Sequence, residues 1–515
     1  MKFSKITQEA VMRTSHVPPL WGAYAAVYGA ALLWLLMRLR RAPEICALDL
    51  RLPRSSHCFG SSDLDLRAQT VTLSAPEFFA LCNRLSGVLL RSKPWFKLFD
   101  LYLFSSSEFE LQKRLGAQSF DSKERWIRLL GPKPNAGQRG PEPDNAYLGR
   151  ALYNYESICQ GLFEGEIDIH HARLIYNRVM RIQQEVRFQT HGGGIARAGI
   201  SDQVPGPKGR QALRGRVCRA SFEELAHAHA FALADVSALC ATSMGRKLAG
   251  CGTEAATISE STPPDTIERA VASCRPAIAD LCSSLNGVLQ SAILGGVLGS
   301  RYEYRIYLIA RDELSLAQHV RMCAAVRALF SGAGSYCKVP QDYFRLRHPT
   351  ILTPTLWRTM SSWYHALRPV EEYYFLKHHG VVLWGEDMRG DLKAPSGADV
   401  VRSAAISVAD LRNRIWAALR LGQSPRLADL MLGRIPALWL VLAKSVVAAS
   451  PAEAMRACAS SGFPHARILE ELDGRVSGRS PGDLPSVDDG AWTPALDSLT
   501  DWLDGLGEMA LSVGY

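Results

Sequence analysis

Two carboxylates separated by one residue, Asp63 and Asp65, are the side chains of this sequence best suited to chemistry. They directly follow a small loop that contains Gly60, in a stretch that predicts a strand. Because alternate residues of a strand point to the same face, both carboxylates project one way, with Leu64 and Leu66 toward the core. Such a pair can bind a hard divalent cation, and Mg²⁺ or Mn²⁺ is expected, since Mg²⁺ is usually held by one or two carboxylates plus substrate phosphates.

The elements around this pair decide whether it can form a site, because a chain of this length contains about one Asp-x-Asp by chance. An apolar segment (residues 23–37) and a predicted strand (45–52) precede it. After it, apolar residues recur at helical spacing over 74–90, and an aromatic strand (96–104) carries one acid, Asp100. Two strands, a helix and a third strand with another carboxylate make a unit of suitable size for one metal site.

This order of elements resembles the nucleotidyltransferase superfamily, which has a polymerase-beta-like fold, over roughly residues 20–130. Members of that family contain a helix, a strand, a Gly-Ser loop, a second strand with Asp-x-Asp and a later strand with a third acid. The resemblance implies that Asp63, Asp65 and Asp100 bind the metal ions and are the catalytic residues. It implies transfer of a nucleoside monophosphate, with AMP expected, from ATP or another nucleoside triphosphate to a hydroxyl acceptor that the sequence does not identify.

The triphosphate-binding loop departs from the family pattern. The family places its Gly-Ser doublet well before the acids, whereas this chain has Ser55 and Ser56 there, and its own doublet, Gly60-Ser61, lies directly against the acids. One interpretation is a shortened loop, in which the triphosphate is bound by Ser55, Ser56, Gly60, Ser61 and Ser62. The other is a degraded triphosphate site, which would make the chain a catalytically inactive nucleotidyltransferase-like interaction protein.

Other interpretations of the three acids stay open. Asp63 and Asp65 suit an exposed turn, because Asp and Ser favour turns, and Asp100 suits a structural acid on a strand edge. Asp-x-Asp also holds Mn²⁺ and a nucleotide-sugar in some glycosyltransferases. Those enzymes usually need a nucleotide-binding half before the motif, and residue 63 comes too early for one.

Composition predicts a folded, multidomain chain without a strong signature for one partner. The chain has 515 residues, 47% of them apolar and 21% charged, which is ordinary globular usage. Its net charge of +9 suits a phosphate-bearing ligand but is spread too widely to indicate nucleic acid, which remains only a possible partner. The 12 cysteines include no Cys-x-x-Cys pair, which favours reduced thiols and a cytoplasmic location.

The N-terminal region leaves a membrane contact open. Residues 17–37 carry no charge and are followed by the basic stretch 38–41. As a helix they would be about 31 Å long, close to the thickness of a bilayer's hydrocarbon core. Prolines and glycines weaken this helix, so a buried or interface-lying helix is the preferred interpretation. The alternative is an inner-membrane anchor with the catalytic part in the cytoplasm.

The predicted fold class is α/β (α+β): a small mixed-sheet core with extensive helical additions and a second α/β block. In that block residues 278–298 are predicted to be helical, and the order of elements suggests a second, acid-poor copy of the core. His227 and His229, two residues apart on a predicted helix, diverge too far to bind one ion together. The predicted domains are an N-terminal apolar helix region (1–44), the nucleotidyltransferase-like core (45–131), a helical segment (144–190), a basic Gly/Pro linker (191–220), the second α/β block (221–400), a C-terminal helical region (401–472), and a linker with an acidic terminal helix (473–515).

Overall fold

The computed structural model of the chain describes most of the predicted elements but not the linkers between them. The sequence also predicts a Pro/Gly linker at 131–143. All of it beyond residue 132, and nearly all of the basic linker at 191–220, lies outside the described residues. The described residues are 2–14, 17–51, 64–91, 99–114, 126–132, 146–163, 167–191, 220–244, 257–258, 265–285, 287–296, 303–331, 345–346, 348–359, 370–392, 397–420, 422–448, 451–464, 466–476, 484–486 and 490–512.

The described residues form small mixed sheets surrounded by many helices, which confirms the predicted α+β class with helical additions. Their buried apolar side chains fall into three main clusters. One lies beneath the first sheet, one joins the second sheet to the helices around it, and one lies among the C-terminal helices.

The first sheet is built from the predicted core. The chain begins with α1 (Lys2–Thr14), α2 (Pro18–Leu39), β1 (Ile45–Arg51), β2 (Leu64–Thr70), α3 (Ala75–Arg91), β3 (Phe99–Phe104), α4 (Ser106–Arg114) and β4 (Trp126–Leu130). We call the part from α2 to β4 the first lobe. Its strand order is β3-β2-β1-β4, with β2 antiparallel to β1 and parallel to β3, and β4 antiparallel to β1.

Local sequence explains how α3 connects the two parallel strands. Its N-terminus is a capping box, in which the Glu77 carboxylate accepts hydrogen bonds from the backbone N–H and the hydroxyl of Ser74. Its apolar stripe, with Phe78 and Leu81 fully buried, packs beneath the sheet against Leu66 of β2 and the leucines of β3. The opposite face of the sheet is therefore left for polar residues.

Three helices and a short strand follow the first lobe: α5 (Ala146–Phe163), α6 (Ile169–His191), α7 (Phe222–Met244) and β5 (Thr257–Ile258). The three helices share one hydrophobic cluster with the second sheet rather than with the first.

The second sheet lies in what we call the second lobe, from α8 to β10. Its elements are α8 (Asp265–Ser284), β6 (Leu289–Gly296), β7 (Glu303–Ala310), α9 (Leu316–Ser331), β8 (Arg345–Leu346), β9 (Thr350–Leu352), α10 (Pro354–Arg358), α11 (Val370–His379) and β10 (Val381–Gly385). The predicted helix over 278–298 is wrong beyond Ser284, because α8 ends there and the described residues that follow form the turn at Gly287 and strand β6. A continuous apolar run does not distinguish a buried strand from a buried helix.

The two lobes have the same topology. In each, a helix leads into a strand, an antiparallel partner follows, a helix crosses over to a strand parallel to that partner, and a last strand pairs antiparallel with the first. The first pair of each sheet also has a register shift at the same place, between Ile45 and Ala47 in β1 and between Leu289 and Ser291 in β6.

A glycine with positive φ lies at the same position in both lobes, which matches the lobes residue by residue. Gly131 follows β4 with φ +82, and a Cβ there would overlap the carbonyl oxygen of Cys46, the residue skipped by the register of β1. Gly385 ends β10 with φ +80, and a Cβ there would overlap the carbonyl oxygen of Gln290, the residue skipped in β6. The two lobes therefore repeat one backbone design, as the order of elements suggests.

The C-terminal helices cover the open edge of the first sheet. They are α12 (Gly397–Arg420), α13 (Ser424–Ala428), a π-helical turn (Asp429–Arg434), α14 (Ile435–Lys444), β11 (Val446–Val447), which pairs with β5, α15 (Pro451–Ser461), α16 (Ala466–Val476), α17 (Thr493–Asp497) and α18 (Leu499–Ser512). From α12, the Asn413 side chain accepts a 2.7 Å hydrogen bond from the N–H of Leu103, and Trp416 donates to the carbonyl of Leu101. The helices that follow the first lobe in sequence (α5–α7) thus pack mainly on the second lobe, and those that follow the second lobe (α12–α18) pack mainly on the first.

Candidate functional site

The structure describes two of the three predicted acids. Asp65 lies on β2 and Asp100 on β3, whereas Asp63 and the predicted triphosphate-binding residues Ser55, Ser56, Gly60, Ser61 and Ser62 lie outside the described residues. The triphosphate-binding loop between β1 and β2 therefore stays a prediction. The positions of Asp65 and Asp100 can be compared with the prediction, because both strands are described.

Asp65 and Asp100 are direct register partners on neighbouring parallel strands. Partners in a parallel ladder project from the same face, so both carboxylates stand on the face opposite the leucine core. Both residues are partly buried, and Tyr102, two residues after Asp100, is exposed on the same face. The fold therefore brings together two acids that are 35 positions apart in the chain.

Arginines accompany the acids on this face. The Arg51 guanidinium donates to the Asp65 carboxylate at 2.6 Å, with about a fifth of each side chain exposed. Asp49 is nearly fully buried and binds two arginines, Arg67 at 2.8 Å and Arg128 at 2.5 Å. A buried carboxylate needs such partners, because burial of an unpaired charge is costly.

One end of the face is closed and the other is open. At the closed end, α4 lies over β2: Phe109 stacks on the Arg67 guanidinium, and Gln69 donates to the Ser106 hydroxyl at 3.1 Å. Trp126 of β4 also lies against Arg67, with 4.3 Å from the guanidinium carbon to the ring centre. Asp65 and Asp100 lie at the other end of this face, near the N-terminal ends of their strands, where both residues are partly exposed.

The donor set at this open end suits a hard cation. Two carboxylates on adjacent strands offer the oxygen ligands that Mg²⁺ and Mn²⁺ prefer, and partial exposure leaves room for water and for phosphate oxygens. Arg51 competes for Asp65, so a cation would have to displace it from the carboxylate. A partly exposed ion pair contributes about 0–1 kcal/mol, which a divalent cation can readily exceed.

The second lobe carries a different residue at the equivalent position. Matching the registers of the first two strands places Arg305 where Asp65 lies. Arg305 is 1% exposed and donates to the Glu156 carboxylate of α5 at 2.9 Å and to the Thr350 hydroxyl at 3.2 Å. This face of the second sheet is therefore filled by a buried ion pair.

A separate cluster of metal-ligating side chains lies among the helices around the second lobe. Within the described part of the chain, His229, His319 and Cys323 form a group whose ligand atoms all lie within 4.8 Å of one another, and all three are buried. Helical spacing excludes His227 and His229 as joint ligands, and only His229 of the two belongs to this cluster. His319 and Cys323 come from another helix, α9. The spacing of His319 and Cys323, four residues apart on one helix, is the sequence signal that could have indicated this cluster.

The N-terminal apolar segment forms helix α2, the single helix among the described residues that is long and apolar enough to cross a membrane. Only Tyr28, Leu35 and Leu39 of this helix are buried against the first lobe. Tyr24, Leu32, Trp34 and Leu36 are partly buried against the same cluster. Five large apolar side chains of α2 are exposed, including Trp21 at 53% and Leu33 at 64%.

Comparison with protein-family models gives no match for this chain, and a search of curated proteins finds no significantly similar sequence. The inference of function therefore rests on the residues themselves.

Proposed function

We propose that the first lobe is a metal-dependent nucleotidyltransferase site, which transfers a nucleoside monophosphate, with AMP expected, from a triphosphate to a hydroxyl acceptor. The observation that carries this proposal is the direct register of Asp65 with Asp100 on one partly exposed sheet face. The order of elements supports it further. A helix, a strand, a strand with acids, a crossover helix and a strand with one acid is the order on which the family resemblance rests.

In this proposal Asp65 and Asp100 hold Mg²⁺ or Mn²⁺, and Asp63, the residue before β2, adds a third carboxylate. The bound cation would supply charge stabilisation for the entering and leaving oxygens of phosphoryl transfer. Asp100 would accept the proton of the attacking hydroxyl. Arg51, once a cation replaces it on Asp65, would neutralise charge on the triphosphate, a role for which a guanidinium is well suited.

The second lobe supports one catalytic site per chain rather than two. At the position of Asp65 it has a buried cation, Arg305. Arg305 is already bound to Glu156, so the equivalent face offers no pair of carboxylates to a metal ion.

The test is a transfer assay with purified full-length protein, labelled nucleoside triphosphates and candidate acceptor extracts. We expect a labelled product that requires Mg²⁺ or Mn²⁺. Asp65→Asn and Asp100→Asn should each lower its formation by at least about 100-fold, because even indirect partners of metal ligands contribute 10- to 100-fold. Asp63→Asn should have the same effect.

The matched control is Glu44→Gln, which removes one carboxylate from the other end of β1, where Glu44 binds Arg84 at 2.6 Å. This variant should keep wild-type transfer. Product formation that is unchanged by Asp65→Asn and Asp100→Asn would contradict the proposed site.

A catalytically inactive interaction protein is the second candidate, and the charge balance of the face favours it. Asp49, Asp65 and Asp100 stand beside three arginines, Arg51, Arg67 and Arg128, so this face has no net charge without a cation. The two candidates differ in triphosphate binding. Absence of any MgATP-induced rise in the melting temperature of the wild-type protein would favour the inactive form.

For location, the exposed face of α2 favours the membrane-anchored alternative over a purely cytoplasmic chain. Twenty-two helical residues span about 33 Å, which matches the hydrocarbon core of a bilayer. The equivalent helix of the second lobe, α8, exposes Glu268, Arg275 and Asp280 instead. The two helices thus have the same place in the topology but outer surfaces of opposite character, and lipid is the partner that suits the apolar one.

Fractionation of cells that express the full-length chain tests this location. We expect the wild type to sediment with membranes and Leu33→Glu to move largely to the soluble fraction, because a carboxylate at that exposed position would enter the hydrocarbon region. Leu33→Ala is the matched control and should stay with membranes. Recovery of all wild-type protein in the soluble fraction would contradict anchoring.

A further inference from the structure

A cluster of two imidazoles and two thiols lies in the interior formed by α5, α7 and α9. His229 Nδ1 lies 2.8 Å from His319 Nε2 and 3.8 Å from Cys323 Sγ. At the other edge of the His229 ring, Cys159 Sγ lies 3.4 Å from Nε2. His319 is 4% exposed and the other three are fully buried.

Each of these helices delivers its donors by ordinary helical geometry. His319 and Cys323 are four residues apart on α9 and so share one face. His229 comes from α7 and Cys159 from α5, and the three helices pack together in one hydrophobic cluster. The donors therefore converge from three elements that lie far apart in sequence.

We propose that His229, His319 and Cys323 of this cluster bind Zn²⁺, because their ligand atoms all lie within 4.8 Å of one another. Cys159 faces Nε2, at the other edge of the His229 ring, and lies outside this ligand set. Imidazole nitrogens and thiolate sulfurs are the ligands that Zn²⁺ prefers, and three protein ligands leave the fourth tetrahedral position to water. This ion is distinct in ligand chemistry from the one proposed for the first lobe, where the donors are carboxylates.

The distances are close to those that a tetrahedral zinc requires. With Zn–N near 2.0–2.1 Å and Zn–S near 2.3 Å, two bound nitrogens are about 3.3 Å apart and a nitrogen and a sulfur about 3.5 Å apart. The observed nitrogen pair is thus about half an ångström too close, and the nitrogen–sulfur pair slightly too wide. Small rotations of the two rings would bring these atoms to zinc-binding distances.

The structure also shows how these groups are satisfied without an ion. Tyr155 donates its hydroxyl proton to the carbonyl of Ile351 at 2.5 Å and lies 3.2 Å from His229 Nε2. One tautomer gives a continuous chain, with the His319 Nε2 proton donated to His229 Nδ1 and the His229 Nε2 proton donated to Tyr155. This chain uses neither thiol, so metal content and the response to cysteine substitution separate it from the zinc site.

The test is the metal content of full-length protein purified without chelator from zinc-supplemented culture, measured by inductively coupled plasma mass spectrometry. We expect about one zinc per chain. Replacement by Co²⁺ should give visible absorption typical of tetrahedral cobalt with a thiolate charge-transfer band. Both measurements use the wild type, so they do not depend on whether a variant folds.

Variants then identify the ligands. Cys323→Ser, His229→Gln and His319→Gln should each lower the zinc content at least about tenfold and reduce resistance to chelator-induced unfolding. The matched control is Cys240→Ser, a buried thiol on the same helix as His229, which should keep its zinc. A folded wild type without zinc, or full zinc content in any of the three ligand variants, would overturn the proposal.

Discussion

The first and second lobes have one backbone design but opposite uses of the same sheet face. In the first lobe this face carries Asp65 and Asp100 at a partly exposed end, with Arg51 as a replaceable partner. In the second lobe Arg305 takes the place of Asp65 and is fixed by Glu156 in the interior. The topology and the glycine turn are common to both lobes, so these features serve folding. The polar residues differ, so function has to be inferred from them and not from the fold.

The largest expected difference between the lobes is in how much their ion pairs, Arg51–Asp65 and Arg305–Glu156, contribute to the free energy of unfolding. Glu156→Ala should lower the free energy of unfolding by about 3–5 kcal/mol, because it leaves the Arg305 guanidinium buried without its carboxylate. Urea denaturation followed by circular dichroism measures this cost. The double variant Glu156→Leu/Arg305→Met should recover most of it, since no buried charge remains. A loss below about 1 kcal/mol in the single variant would contradict the buried pair.

The shared glycine turn gives the next effect and tests the equivalence directly. Gly131→Ala and Gly385→Ala should each lower the free energy of unfolding by about 2–4 kcal/mol, since each adds a clash to an unfavourable positive φ. Gly287→Ala is the control, because Gly287 has φ +81 but open space around it, and about 1 kcal/mol is expected. Unequal effects at Gly131 and Gly385, with one variant near wild type, would argue against a common design.

A pH-dependent effect is expected in the helices around the second lobe. Burial raises the pKa of Asp235 on α7 from 3.8 to about 6. The folded protein then holds this proton up to about pH 6 whereas the unfolded chain releases it near 3.8, so stability falls as the pH rises through this window.

Asp235→Asn cannot ionise, and it should therefore raise the free energy of unfolding by about 1–3 kcal/mol at pH 8, with the gain shrinking toward pH 4. Urea denaturation at the two pH values measures the difference. Asp280→Asn, at an exposed position on α8, should show no such pH dependence. An equal gain for Asp235→Asn at both pH values would contradict a buried ionisable group.

The smallest expected effect concerns the stability of the first lobe at its proposed site. Asp65→Asn should change the free energy of unfolding by less than about 1 kcal/mol, because its ion pair with Arg51 is partly exposed. The same variant is expected to abolish nucleotide transfer, so stability and activity separate at this residue. A destabilisation as large as that of Glu156→Ala would instead indicate that Asp65 is mainly structural.

Local sequence patterns predict much of the first lobe. The strand before the loop, the strand of Asp65, the helix from Ala75 and the strand of Asp100 all lie where alternation, helical spacing and the cap at Ser74 place them. Strand periodicity also predicts which face Asp65 and Asp100 occupy on their own strands, but not that the two strands are neighbours. The second lobe was less predictable, because the apolar run that contains β6 has no period that separates strand from helix.

The sequence by itself determined which residue types are available, where most elements of the first lobe begin and end, and that residues 17–37 carry no charge. These properties depend on neighbours within a few residues. Only the tertiary structure decided that Asp65 pairs with Asp100, that Arg305 occupies the equivalent place in the second lobe, and that His229 meets His319 and Cys323. Each of these depends on strand register or helix packing between distant segments, which is set by burial of the whole core and not by local spacing.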